Sequence, residues 1–122
     1  MEFEITPAGK YLSVRLSGAP TEADARRMLV ELRRSSIEAK VDCALFELQV
    51  AFGLDPVTVF ALVRDLMSIG FPVTYRFALL LLDEAAAESA QFGETAALNR
   101  GWQVRVFRER QPAIAWLEAR AA

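Results

Sequence analysis

The chain has no histidine and a single cysteine, Cys43. Without imidazole, every mechanism that uses it as base, phosphoacceptor or metal ligand within the chain is excluded. One thiol can neither close an intramolecular disulfide nor build a thiolate metal cage. Cys43 lies in an apolar run, which predicts a small buried apolar residue. Glycine is sparse, at six residues, and Gly53 stands isolated, with no GxGxxG or GxxxxGK to cradle a phosphate, so nucleotide binding has no support. Charge of one sign is also lacking: 14 Lys plus Arg face 16 Asp plus Glu, leaving -2. No field gathers phosphate backbones, and nucleic acid is not an expected partner. No window approaches the ~20 apolar residues of a membrane span. The opening MEFEI is acidic and has none of the features of a secretory signal, so the cytoplasm is the expected compartment.

What is present fits one globular domain. The 122 residues are 53% hydrophobic and 25% charged, close to the ordinary globular profile and far from disorder. Phe3 and Ile5 alternate with Glu2, Glu4 and Thr6; Gly9 permits a turn; Leu12, Val14 and Leu16 alternate with Ser13, Arg15 and Ser17. This predicts an antiparallel hairpin. Pro20 and Thr21 open a helix over roughly residues 21–38, with Glu22 and Asp24 in its first turn and Ala25, Met28, Leu29 and Leu32 at helical spacing. A third strand runs from about Val41 to Val50, and Asp55 and Pro56 suit the N-cap and first position of a second helix that Gly70 and Pro72 end. Tyr75 to Leu82 reads as a central strand, Ala85 to Arg100 as a helix weakened by Gly93 and stopped at Gly101, WQVRVF as a fifth strand, and Pro112 opens a last helix.

The order ββαβαβαβα makes the late strands parallel with right-handed crossovers. Strands one, two, three and five each carry a polar row, whereas a sheet covered on both faces has strands apolar on both. The expected architecture is therefore α/β, a mostly parallel five-stranded sheet with helices mainly on one face. Ser13, Arg15, Ser17, Glu47, Gln49, Gln103 and Arg105 would form the uncovered face, with the fourth strand an exception because both its faces are apolar.

A one-sided βα superhelix preceded by a hairpin resembles the STAS domain family, the anti-sigma-factor antagonist or SpoIIAA-like fold of bacteria. The stretch ALNRGWQVRVFRERQPAIAWLEAR is similar to the ending of small STAS-like bacterial proteins, in its Asn-Arg-Gly helix stop, its strand closing on Val-Phe, and its helix carrying Ala113, Trp116 and Leu117. Gly101 as terminator and Trp116 and Leu117 as packing residues also explain that motif structurally. In phosphorylatable members of the family an Asp-Ser-Ser-Gly-like stretch follows the third strand, and a partner kinase phosphorylates its Ser at the start of the next helix. Here the same place reads Ala51, Phe52, Gly53, Leu54, Asp55, Pro56, with no hydroxyl. The resemblance implies a non-enzymatic protein-interaction or regulatory module that lacks the usual phosphoacceptor serine and needs no cofactor.

The candidate interaction surface comprises Phe52, Gly53, Leu54, Asp55 and Thr58. Thr58 is the nearest hydroxyl, but at the third helical position it is a poor phosphoacceptor, since a phosphate there would meet the Asp55 carboxylate. Asp55 and Asp83 follow neighbouring strands and could hold Mg²⁺ for a metal-assisted reaction; a helix cap and a turn carboxylate account for them more simply. Arg26, Arg27, Arg33 and Arg34 alternate with Glu22, Glu31 and Glu38, which predicts a solvated, ion-paired face. On the second helix, Val57, Val59, Phe60, Leu62, Val63, Leu66, Met67 and Ile69 make an apolar arc wider than one sheet face requires. The excess would be covered by neighbouring helices, a partner protein, a second copy in a homodimer, or an apolar small molecule. The last option corresponds to a carrier like the lipid-binding Sec14-type domain, which related proteins resemble in element order.

Overall fold

The computed structural model describes residues 2–18, 21–48 and 55–119. Strands β1 (Glu2–Pro7) and β2 (Leu12–Ser17) form the predicted antiparallel hairpin. There follow α1 (Glu22–Ala39), β3 (Cys43–Leu48), α2 (Pro56–Ile69), β4 (Arg76–Leu81), a 3-10 turn (Glu84–Ala86), α3 (Ala87–Leu98), β5 (Gln103–Phe107) and α4 (Arg110–Glu118). The five strands lie side by side in sequence order, and β2 to β5 are parallel.

Local chemistry accounts for the helix boundaries. The Thr21 hydroxyl accepts the Asp24 amide at 3.2 Å and starts α1, and the Asp55 carboxylate accepts the Thr58 amide at 2.8 Å and starts α2. Gly70 ends α2 at φ 118°, a backbone geometry costly for any side chain. Helix α4 begins two residues before Pro112, whose ring is tolerated in the first turn because that amide has no intrahelical partner.

Successive right-handed crossovers in a sheet of sequential order place every connecting helix on the same face. Accordingly α1, α2 and α3 cover Leu12, Val14, Leu16, Ala44, Phe46, Leu48, Phe77 and Val104. Helix α4 connects no strands and is free of that rule. It packs on the opposite face, setting Ala113 and Leu117 on Cys43, Leu45, Ala78 and Leu80. This corrects the expected open polar face: Ser17 and Arg105 are exposed, but α4 covers the middle of it, and Glu47 is 4% exposed. Gln49 and Val50 lie outside the described residues. The apolar second face of β4 is the surface that α4 occupies.

Arg76 fixes α4 in place. Its guanidinium sits 5.7 Å from the Trp116 ring centroid and donates to the carbonyls of Trp116, at 2.8 Å, and Ala119. A cation there complements the negative end of the helix. Trp116 also lies 5.8 Å from the Phe107 ring. On the same edge strand, β5, the Glu94 carboxylate accepts the Val106 amide at 2.7 Å and satisfies an edge donor. Of the arginines of α1, Arg26 pairs with Glu22 and Arg34 with Glu31 and Glu38 as expected, whereas Arg27 pairs with Asp24 and Arg33 with Asp42, beyond the helix. Arg26 reaches further, to Asp65 on α2 at 2.8 Å.

One buried polar pair ties α1 to the start of β4. The Tyr75 hydroxyl and Ser36 Oγ are 2.7 Å apart, and Ser36 Oγ donates to the Leu32 carbonyl, so Tyr75 is the donor to Ser36. Phe71, Tyr75 and Phe77 pack around them, with the Phe71 and Tyr75 rings 4.8 Å apart. Ser36→Ala leaves the buried phenol unpaired and is expected to cost about 2 kcal/mol, whereas Tyr75→Phe leaves Ser36 bonded to Leu32 and costs about 1 kcal/mol, measured by urea unfolding. Burial pushes the Tyr75 phenol above its ordinary range. The folded chain then holds that proton more tightly than the unfolded chain, so the contribution is complete below about pH 10 and is lost as pH rises further. Cys43, raised by its own burial, adds in the same sense. Tyr75→Phe is expected to flatten the alkaline decline in thermal midpoint.

Candidate functional site

The carboxyl ends of the parallel strands are the usual position for a site in such a sheet. Phe52, Gly53 and Leu54 of the candidate surface lie outside the described residues. Asp55 and Thr58 are described, and they bind each other. The Thr58 hydroxyl is 3.2 Å from Asp55 Oδ2, while Oδ1 holds the Thr58 amide. Asp83 likewise accepts the Ala85 amide at 2.9 Å and caps the 3-10 turn. Both carboxylates thus serve as helix caps. Among the described residues no three His, Cys, Asp or Glu side chains group to hold a metal ion.

Glu47, expected on an open face, lies instead buried beneath the first turn of α4. Glu47 Oε2 accepts Arg15 Nε at 3.2 Å from β2, and Oε1 accepts Arg110 Nη1 at 3.0 Å from the first turn of α4. The two arginines remain about half or more exposed while the carboxylate between them is buried. The signal for this arrangement was available in part: Arg15 and Glu47 occupy matching positions on adjacent strands. Arg110 could be found only once α4 was known to cross to that face.

On the other face, α2 has an inner and an outer apolar side. Val59, Leu62, Val63 and Leu66 turn inward. Beneath them lies a cavity of about 130 Å³, partly open to solvent, between α1, α2, α3 and the sheet. Its walls are apolar, among them Met28, Leu29, Phe46, Leu66, Phe77 and Val104. Protein interiors rarely hold voids larger than a water molecule. Gly93 contributes to the cavity: a methyl there would meet only Val59 Cγ1, at 3.6 Å, so the glycine withholds a group the space would accept.

The outer side of α2 is exposed. Val57 is 79%, Phe60 45% and Met67 67% accessible, so the wide arc predicted from sequence is covered by neighbouring helices only on its inner half. Phe60 carries Arg100 over its ring at 4.7 Å. Phe92 of α3, also exposed, directly precedes Gly93 in the chain, at the place where α3 meets α2. A further cleft opens at the amino ends of the strands, lined by Lys10, Lys40, Asp42, Cys43, Arg76 and Glu118. Its charges are of both signs, and Arg76 is already engaged with α4. The described helices include none long and apolar enough to cross a membrane.

The Glu47 cluster yields an asymmetric expectation. Glu47→Gln frees two solvated arginines and costs about 1 kcal/mol, whereas replacing Arg15 and Arg110 together by Ala strands a buried carboxylate and costs about 2–3 kcal/mol in urea unfolding. Equal losses would contradict the geometry. Compared with protein-family models, with curated proteins and with solved structures, the chain matches none.

Proposed function

We propose that the protein is a non-enzymatic, STAS-like interaction module that acts by binding protein through the outer side of α2, and that a second copy of the chain is the occupant this face fits. The reading is supported by element order, a hairpin followed by a parallel sheet in sequential order with three helices on one face. Helix α2 is capped by Asp55, and the Thr58 hydroxyl is already bound to that cap, which supports a module that works without a phosphoacceptor there.

The observation that carries the proposal is the exposed row Val57, Phe60, Arg64, Met67, spaced by three, four and three residues. Such spacing forms one seam along a helix. The row is also its own complement when two copies of α2 run antiparallel about a two-fold axis: Val57 then faces Met67 of the second copy, and Phe60 faces Arg64. Apolar side chains meet at the ends, and at the centre Phe60, which carries Arg100 of its own chain over its ring, packs beside Arg64, which is paired with Asp65 of its own chain. An isologous interface requires this self-complementarity. The Sec14-like carrier reading has less support, because a cavity of about 130 Å³ falls well below the roughly 300–1,000 Å³ of ordinary ligand pockets.

Sedimentation equilibrium is expected to show reversible dimerisation that Met67→Asp and Phe60→Asp each abolish. Because both positions are exposed, the unfolding free energies of the two variants should lie within about 0.5 kcal/mol of that of the wild-type monomer, measured at concentrations below dimerisation. A wild-type chain that stays monomeric at the highest soluble concentration would overturn the proposal.

A further inference from the structure

The cavity beneath α2 has a second use, independent of what binds the outer side of that helix. We infer that it is a binding site for a neutral, compact, wholly apolar molecule about the size of one benzene ring. Volume sets the size. A cavity of about 130 Å³ is close to the roughly 150 Å³ of an apolar protein cavity that stays dry and takes up benzene. It holds one ring and excludes the long acyl chain of a lipid.

Lining sets the chemistry. No charged side chain reaches the walls, so an ionic ligand would lose its hydration without compensation. The one hydroxyl-bearing residue among the lining is Ser89 on α3, and the walls nonetheless present almost no polar surface, so a polar substituent on the ligand would find no partner. The space is partly open to solvent, and its accessible walls lie on both α2 and the sheet: Val59, Leu62 and Val63 keep 8–9% of their surface accessible, and Val104 of β5 keeps 8%. Small side chains hold it open from the α3 side, where Ala90, Gly93 and Ala97 stand in positions that larger apolar residues would fill.

The test is a titration of the intact protein with benzene, followed by methyl NMR. Methyl signals of Leu29, Val59 and Leu66 should shift saturably through the ring current, while those of exposed Val30 and Ile37 stay fixed. Benzene should also raise the thermal midpoint by about 3 °C near saturation. Phenol should bind more weakly than benzene, because its hydroxyl loses water without a partner in the walls. Benzoate should leave the spectrum unchanged. Ala90→Leu fills the space and should fold while losing the benzene response; Ala90→Val is the smaller filler if the leucine does not fold. Absence of saturable shifts up to the solubility limit of benzene, an undiminished response in the folded filled variant, or saturable uptake of hexadecanoate at the same methyls would each overturn the inference.

Discussion

Strand β3 is the constraint on which the rest of the structure depends. All six of its residues are buried, because its two faces serve two different layers. Ala44, Phe46 and Leu48 belong to the core under α1, α2 and α3; Cys43 and Leu45 belong to the smaller core under α4. The handedness of the crossovers forces the first arrangement and leaves α4 to provide the second. Once α4 is seated, Glu47 cannot remain a solvated surface residue, and Arg15 and Arg110 must accompany it. The ion-paired cluster is thus a consequence of layer geometry and is not evidence for catalysis.

Packing quality differs between the places where the layers meet. Around the Tyr75 and Ser36 pair, three aromatic rings and a hydrogen-bonded relay leave little free volume. Under α2 the interior is incompletely filled, and above α2 three large apolar side chains face solvent. A helix in contact with unfilled space on one side and water on the other is the least committed element of the fold. Both proposals rest there for that reason: the outer seam is a surface for a second chain, the inner space a compartment for a small molecule. Regions that bind are generally drawn from the less stable parts of a structure.

Much of the fold could be read from the sequence. Alternation at Phe3, Ile5, Leu12, Val14 and Leu16 located the hairpin, and Thr21, Asp55, Gly70 and Gly101 marked helix boundaries because a cap or a left-handed turn demands those residue types. The second face went unread because its apolar patch is confined to the centre of the sheet, to β4 and to Cys43 and Leu45 of β3 beside the polar Glu47. Ala78 and Leu80 are apolar where a one-sided sheet should be polar, which called for a covering element, but α4 was the last helix and its side of the sheet follows from no crossover rule. The site was less legible. The width of the apolar arc on α2 correctly signalled excess, yet helical spacing alone cannot say whether Phe60 and Met67 meet a neighbouring helix or water. The cavity left no mark in the pattern at all, since it arises from the small volumes of Ala90, Gly93 and Ala97 facing Val59 and Leu66 across space.

The central claim is that the molecule is firmly packed around β3 and loosely packed beneath α2. Native-state amide hydrogen exchange measures this directly, element by element. The account predicts that amides of β3 and β4 exchange only by global unfolding, while those of α2 exchange through a partial opening of distinctly lower free energy. Protection of α2 equal to that of β3 would contradict it.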